Sequence, residues 1–574
     1  MRRAAHKKQD LVLRFRQRSI VLAAGFALLA MLLAGRAAQL QVVNREMLNK
    51  YADALHLRRM EVFAHRGNIL DRHGQPLAIS TPVDSIWANP VKLAPAIDRF
   101  GELATALDTS AENLMRLINR NMDKEFVYLR RQLRPDQVVA VDQLEMPGID
   151  VLREYRRYYP AGEVAGHLVG FNDIDDKGQY GLEHAFDAAL TGKPGAKRVL
   201  RDRYGRIVED VESIRPPRPG EDLVTSIDLR IQYFAYRELK RAVQRHAAET
   251  GSMVIIDIQT GEVLAMVNQP AYNPNDRSQR TLKRYTNRAM TRILEPGSSI
   301  KPLIAAIALA EGAVSVDEMV NTSPGRIQVG AKEIEDHHDL GAINLQTILS
   351  RSSNVGMTMI AQRLDAEQLW RGLSRFGFGT VSYGGFPSES AGTLSHYADW
   401  REITQATVSY GYGLSVTPLQ LAHAYAILGN RGASIPVTLT RVDEPPRAEQ
   451  VLPADIAATV LELMEHVVLP GGTGTKAAIP GYRVAGKTGT SWKSARGGYS
   501  EQKYFSVFAG VVPVENPRLA AVVVIDEPTG GDYYGGDVAA PVFSEVMREA
   551  LRLMALPPDD VPGLATQQLQ AANP

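Results

Sequence analysis

The 574-residue sequence contains no cysteine. Disulfides, thiol nucleophiles and thiolate metal centres are thereby excluded, and the absence suits an oxidising compartment. No charge sign dominates either: 65 Lys and Arg against 64 Asp and Glu give a formal charge of +1, which offers none of the basic footprint of a nucleic-acid binder. Histidine forms no metal-like cluster. Its one adjacent pair, His337-His338, lies in a polar loop, EIEDHHDLG. Long apolar runs are also missing, with one exception at the N-terminus. What is present is ordinary globular material, 45% hydrophobic, in a chain too long for one compact domain.

The exception is SIVLAAGFALLAMLLAG at 19–35, uncharged and preceded by Arg2, Arg3, Lys7, Lys8, Arg14, Arg16 and Arg18 against Asp10 alone. A bilayer core takes roughly 17–25 apolar residues in a helix. The run exceeds the roughly 7–15 residues of a signal-peptide core, and helix-forming polar sequence follows it. We read 1–18 as a cytoplasmic tail and 19–40 as an uncleaved, single-pass anchor. The basic flank stays in the cytoplasm, so the remainder of the chain is expected outside it.

A second boundary is compositional. IRPPRPGED at 214–222 cannot sit inside a helix or a central strand. It separates a mixed upstream module, 41–220, from a downstream domain, 221–556. Downstream, strands are expected on both sides of Thr260-Gly261 and of Glu515-Asn516-Pro517, with mostly helical patterning between the two pairs. Early strands, a helical middle and late strands predict an α+β domain whose sheet is built from both ends of the sequence, with helices packed on it. The Pro-rich polar tail, 557–574, reads as disordered.

Three stretches carry candidate chemistry. In LEPGSSIKPL, 294–303, apolar residues at 300, 303, 304 and 307 have helical spacing. Pro302 is tolerated only in a first turn, so the helix begins near Ser298. Ser298 and Lys301 then stand at i and i+3 on one face, within reach of a hydrogen bond. Ser298 is either an N-cap or a nucleophile whose base is a lysine that burial or a second cation has made less basic. Ser352-Ser353-Asn354, between two apolar helical patterns, either caps a helix or presents a hydroxyl and an amide in one direction. Lys487-Thr488-Gly489-Thr490, in YRVAGKTGTSW, is strand-like: an edge strand with a solvated lysine, or a second cation beside a glycine that a ligand's backbone could approach.

Together and in this order, Ser298-x-x-Lys301, Ser352-x-Asn354 and Lys487-Thr488-Gly489 resemble the signature of the penicillin-recognising serine acyltransferases. AHRGNILDRHGQPLAIS (64–80), YRRYYPAGEVAGHLVGF (155–171), GQYGLEHAFDAALTGKPG (178–195), VLRDRYGRIV (199–208) and SYGYGLSVTPLQLAHAYA (409–426) are similar to segments of the class B penicillin-binding proteins. The resemblance runs from the anchor to about residue 556. It is nearest to the septal, cell-division branch of Gram-negative bacteria, because the middle motif ends in Asn354 where elongation enzymes typically carry Asp. It implies a membrane anchor, an elongated mixed α/β N-terminal module and a C-terminal transpeptidase domain with helices on both faces of an antiparallel sheet. The implied activity is D,D-transpeptidation of peptidoglycan stem peptides, with no metal and no cofactor, and covalent acylation by β-lactams.

The resemblance also assigns residues. Ser298 would be the nucleophile and Lys301 its base. Ser352, Asn354 and Lys487 would keep Lys301 neutral and relay the proton, and the Ser298 and Thr490 N–H groups would form the oxyanion hole. Thr488, Gly489 and Thr490 would bind substrate, with Tyr412, Tyr533 and Tyr534 lining the cleft; the family often has Phe at the last position. SWKSARGGYSEQKY (491–504) would shape its mouth. Arg66, Arg72 and Arg157 read as scaffold salt bridges. Implied partners are a SEDS-type glycan polymerase and other divisome membrane proteins. The alternatives are a hydrolase of the same fold, a D,D-carboxypeptidase or β-lactamase, and a largely non-catalytic scaffold or sensor. Against a β-lactamase, the upstream module is unneeded for hydrolysis and no Glu-x-x-x-Asn motif is placed for deacylation. Glu295, the nearest carboxylate in sequence to Ser298, is expected to point away from it.

Overall fold

A computed structural model describes residues 2–47, 57–201, 207–495 and 498–560. The N-terminal helix α1 (Arg2–Ala38) continues into a π-helical turn over Gln39–Val43. Phe15–Val43 is long and apolar enough to cross a membrane. It begins four residues before the apolar run and ends three beyond the expected anchor.

The chain divides into two compact units that alternate along it. The smaller comprises Met1–Ala64, Pro82–Tyr155 and Lys193–Arg218; the larger comprises His65–Thr81, Arg156–Gly192 and Pro219–Pro574. The last crossing falls inside the Pro-rich stretch, where a boundary was expected. Two upstream segments, His65–Thr81 and Arg156–Gly192, thus pack with the larger unit. In the smaller unit, Leu57–Val62, Gly195–Arg201 and Ile207–Arg215 form a three-stranded antiparallel sheet. Its main core gathers Ile86, Leu93, Phe100, Leu103, Leu114 and Leu133.

The larger unit is built on an antiparallel sheet of β1 (Thr250–Asp257), β2 (Val263–Gln269), β3 (Ala485–Ala495), β4 (Gly498–Val512) and β5 (Leu519–Asp526), in the order β2-β1-β5-β4-β3. Residues from both ends of the sequence meet where β1 pairs with β5. The period-2 alternation of a strand sends successive side chains to opposite faces. Val254, Ile256, Val522 and Val524 pack with α3 (Lys301–Ala310), α4 (Leu345–Arg351), α6 (Pro418–Gly429) and α7 (Ala454–Val468). Met253, Ile255, Val523 and Ile525 pack with α2 (Leu229–Arg245) and α8 (Ala540–Leu553). Both faces are buried, which is why the strands read as continuous apolar runs and not as alternating ones.

The upstream segments of the larger unit are held by charge. Arg66, 1% exposed, donates to Glu183 at 2.8 Å and to Thr191 Oγ1 at 2.8 Å, and pairs with Asp187 at 2.8 Å. Arg157 donates to the other Glu183 oxygen at 2.5 Å and to Ser80 Oγ at 3.0 Å. Arg72 pairs with Glu262 at 3.2 Å. All three arginines are in salt bridges, as read from the sequence.

The C-terminal segment departs from expectation. The Asp559 carboxylate accepts from the backbone N–H of Arg483 at 2.7 Å, Val514 at 3.0 Å and Glu515 at 3.1 Å, and Asp560 N–H donates to Gly481 O at 3.1 Å. Residues 557–560 are therefore fastened to the larger unit; the rest of the tail, 561–574, lies outside the described residues.

Breaking a buried ion pair leaves an uncompensated charge and costs about 3–5 kcal/mol. Glu183→Ala strands the buried Arg157 guanidinium and leaves Arg66 paired with Asp187 alone, so it should lower stability by about that amount. Denaturant unfolding of the purified variant measures it; a loss below about 1 kcal/mol would show that the cluster is not structural.

Candidate active site

The turn bearing Ser298 is a 3-10 segment, Gly297–Ile300, that runs directly into α3 with Pro302 in its first turn. Ser298 is half-buried at the surface of the site, whereas Lys301 is fully buried. The turn is pressed between two backbones. Gly411, at φ +88°, lies so close that a Cβ there would stand 2.1 Å from Gly297 O. On the other side, a Cβ at Gly489 of β3 would stand 2.8 Å from Pro296 O. Glycine is required at both positions by close approach. From beneath, the buried Tyr425 hydroxyl of α6 donates to Ser299 O at 2.7 Å.

The middle motif occupies the junction of two helices. Ser352 ends α4 in the left-handed region at φ +62°, and α5 (Asn354–Ala361) begins two residues later, capped by Ser353 through Gly356 N–H. The sharp reversal turns Ser352 and Asn354 toward Lys301. Lys301 Nζ donates to Ser352 O at 2.6 Å, to Asn354 Oδ1 at 2.8 Å and weakly to Ser352 Oγ at 3.4 Å. None of its hydrogen bonds goes to Ser298, so the direct contact allowed by the i, i+3 spacing is not formed. The two short contacts occupy two N–H bonds, and a neutral amine keeps its lone pair for a third direction.

Lys487, on β3 and fully buried, donates to the same Ser352 Oγ at 2.9 Å and to Thr488 O at 3.2 Å. One hydroxyl therefore bridges two buried amines. Burial holds the Lys301 amine well below the ordinary lysine value; the neighbouring Lys487 charge lowers it further, and Asp336 partly opposes both. Burial alone brings Lys487 down to about 7. Desolvation and a like charge are the two effects that make a lysine a base near neutral pH.

Asp336 is the residue that sequence reading missed. It follows the hairpin of Arg326–Val329 and Lys332–Glu335. Its carboxylate accepts from Asn354 N–H and Ser353 Oγ, both at 2.5 Å, and from Val355 N–H at 3.1 Å. It caps α5 and so fixes the motif that holds Lys301. The neighbouring His337-His338 pair belongs to no group of potential metal ligands among the described residues.

The remaining candidates are divided. Thr488 Oγ1 pairs with Thr473 Oγ1 at 2.8 Å, and Thr490 Oγ1 accepts from Gly535 N–H at 3.0 Å. Both stand on β3 beside Lys487. Tyr533 stacks between Tyr504 and Tyr534, at 4.3 and 4.4 Å between ring centroids, and makes no contact with the lysines. Tyr412 instead joins Tyr499 and Trp492 at 5.2 and 6.4 Å. Glu295 turns from the site as expected: Gly413 N–H and the Tyr499 hydroxyl donate to its Oε1 at 2.8 and 3.0 Å. Burial raises its carboxyl, and those two donors oppose the rise. Arg496 and Gly497, in the segment expected at the mouth, lie outside the described residues.

Comparison with known proteins gives a consistent answer. A family described as "Penicillin binding protein transpeptidase domain" matches residues 251–548, and "Penicillin-binding Protein dimerisation domain" matches 61–225. Peptidoglycan D,D-transpeptidase FtsI of Escherichia coli K12 is 44% identical over 96% of this chain and 95% of its own. The probable peptidoglycan D,D-transpeptidase PbpC of Pseudomonas aeruginosa is 36% identical over 96% and 98%. Among solved structures, the TP domain of Burkholderia pseudomallei penicillin-binding protein 3 is 39% identical with a TM-score of 0.55, covering 59% of this chain and 98% of that one. Penicillin-binding protein 3 of Mycobacterium tuberculosis, solved with aztreonam, is 28% identical with a TM-score of 0.68, covering 87% and 98%.

Asp336→Ala tests the cap. Loss of a cap costs about 0.5–2 kcal/mol of stability, and the loosened Ser352-Asn354 corner should slow acylation by labelled penicillin about 10- to 100-fold. Because Asp336 raises the proton affinity of Lys301, its removal should move the acid limb of the acylation–pH profile to lower pH. A shift to higher pH would contradict the arrangement.

Proposed function

The chain belongs to the penicillin-binding protein transpeptidase family, and we propose that Ser298, Lys301, Ser352, Asn354 and Lys487 carry its reaction. The protein is a serine-type peptidoglycan D,D-transpeptidase of septal cell-wall synthesis and a β-lactam target. The observation that carries the assignment of roles is the pair of buried amines sharing one hydroxyl, Ser352 Oγ.

Ser298 Oγ attacks the carbonyl carbon of the penultimate D-alanine of a stem peptide, and Lys301 takes its proton. Backbone N–H groups of Ser298 and Thr490 stabilise the tetrahedral oxyanion. The proton passes by way of Ser352 and Lys487 to the leaving D-alanine amine as the peptide C–N bond breaks. An amine of a neighbouring stem peptide then attacks the acyl-enzyme ester, closing the cross-link and returning the proton to Ser298. Thr488 and Thr490 hold the terminal carboxylate beside Lys487, with Gly489 letting the peptide backbone approach the strand. Tyr412, Tyr533 and Tyr534 line the cleft. The logic is that of a serine triad with lysine as the base.

Labelled penicillin tests this reading. The wild-type chain should form a covalent adduct that persists for many minutes, because a transpeptidase must withhold water from its acyl-enzyme until an amine arrives. Ser298→Ala should form none. Lys301→Arg, which cannot be deprotonated, should react about 10³-fold more slowly or worse while remaining folded. Near-normal labelling of folded Lys301→Arg would remove Lys301 as base, and rapid multiple turnover of penicillin would make the protein a hydrolase.

The same reading puts the tail, residues 1–18, in the cytoplasm and the catalytic unit in the periplasm, with a SEDS-type glycan polymerase and other divisome proteins as membrane partners. The basic residues preceding the apolar helix support that orientation. A periplasm-only reporter fused to the C-terminus should be active, and crosslinking in the same membranes should recover the polymerase. Activity of a cytoplasm-only reporter would reverse the topology.

A further inference from the structure

Glu295 stands three residues before Ser298, and the reaction as written gives it no role. Its contacts nevertheless close a circuit. Oε1 accepts from Gly413 N–H at 2.8 Å and from the Tyr499 hydroxyl at 3.0 Å. Gly413 follows Tyr412, whose ring meets the edge of Tyr499 at 5.2 Å. Tyr412 Oη accepts from Trp492 N–H at 3.2 Å. The Glu295 carbonyl, in turn, accepts from Ser491 Oγ at 2.7 Å. Four stretches meet here: 294–301 with Ser298 and Lys301, 411–413 with Tyr412, β3 with Ser491 and Trp492, and β4 with Tyr499.

The backbone around this circuit is stitched as well. Leu294 and Val416 exchange hydrogen bonds at 2.9 Å, and Gly297 N–H donates to Gly411 O at 3.2 Å. Those bonds hold the turn through its backbone at Leu294 and Gly297. The carboxylate adds a side-chain tie, since one of its oxygens binds both Gly413 N–H and the Tyr499 hydroxyl of β4. A charged acceptor makes hydrogen bonds roughly twice as strong as a neutral one. Oε2 is buried without a partner, so the carboxylate is kept at a desolvation cost that its other contacts offset. It has no contact with Ser298 or Lys301, which separates its role from that of a general base.

The geometry points to Glu295 as a positioning residue for acylation: through Gly413 N–H and the Tyr499 hydroxyl it fixes the Ser298 turn against the Tyr412 stretch and against β4, the partner of the strand that bears Thr490, setting the rate of attack and not the affinity for the acyl donor. The inference rests on Ser298 being the nucleophile. A displacement of about 1 Å at a reacting atom costs roughly 100-fold, so a small rotation of this turn is enough.

Timed labelling of the detergent-solubilised full chain with penicillin separates the saturating acylation rate from the half-saturating concentration. Glu295→Gln should lower the saturating rate about 10- to 100-fold, with the half-saturating concentration and melting temperature nearly unchanged. Tyr499→Phe, which keeps the ring, should lower the rate by a smaller factor. The double variant should be no slower than Glu295→Gln, because both act through one contact. Wild-type rates in both single variants would overturn the proposal, as would an effect confined to half-saturation. If Glu295→Gln does not fold, Tyr499→Phe alone decides: an unchanged rate overturns the role. Ser298→Ala run in parallel keeps the two readings apart. Labelling that survives in it refutes the nucleophile; labelling lost there with unchanged Tyr499→Phe and Glu295→Gln rates refutes only the positioning role.

Discussion

The site depends on two lysines buried beside one another with no carboxylate in contact with either. Lys301 and Lys487 form no ion pair among the described residues, and both turn to Ser352 Oγ. A direct ion pair would restore the proton affinity that burial removes and would undo the role proposed for Lys301. The structure therefore satisfies the lysines with neutral acceptors: a carbonyl, an amide oxygen and hydroxyls. The nearest balancing charge, Asp336, acts at one remove. It binds the backbone and Ser353, adjusting Lys301 through the field without touching it. The buried sheet and the helix start at Pro302 exist in this light as walls that keep water from two amines.

The three motifs were legible because each is local. Pro302 fixes where a helix starts, Pro296-Gly297 marks the turn, and a lysine three residues from a serine follows from helical spacing. The sheet was legible too, since its strands are apolar runs flanking recognisable turns. What escaped was every contact between distant stretches. Asp336 lies 17 residues before Ser353, behind a short hairpin that leaves little periodic signal, so nothing local marks it as a cap. The chain's alternation between two units escaped for the same reason. Arg66 and Glu183 are separated by 117 residues, and only folding shows that they neutralise each other. The direct Ser298–Lys301 contact was a fair inference from spacing, but Asn354 and Ser352 compete successfully for the amine.

Polar burial serves two different ends in the larger unit. Around Glu183 opposite charges are matched, and the result is a fastening for upstream segments. Around Ser352 two buried amines are left without a carboxylate partner, and both lose proton affinity. Matched buried ions can be replaced by apolar groups without loss of fold in favourable cases; unmatched ones exist for chemistry and work against stability.

The glycine packing about the nucleophile's turn limits how the protein can escape an inhibitor. A β-lactam imitates the acyl donor, so resistance by target alteration has to weaken the inhibitor and spare the substrate. At Gly411 and Gly489 a single added carbon would collide with the backbone that carries Ser298, and both ligands would be lost together. Heritable change is thus channelled away from the floor of the cleft toward side chains at its rim. Trp492, 48% exposed, is a side chain with room to vary. The evolutionary freedom of this enzyme lies in its periphery, and an inhibitor that engages the glycine floor alone offers it the fewest exits.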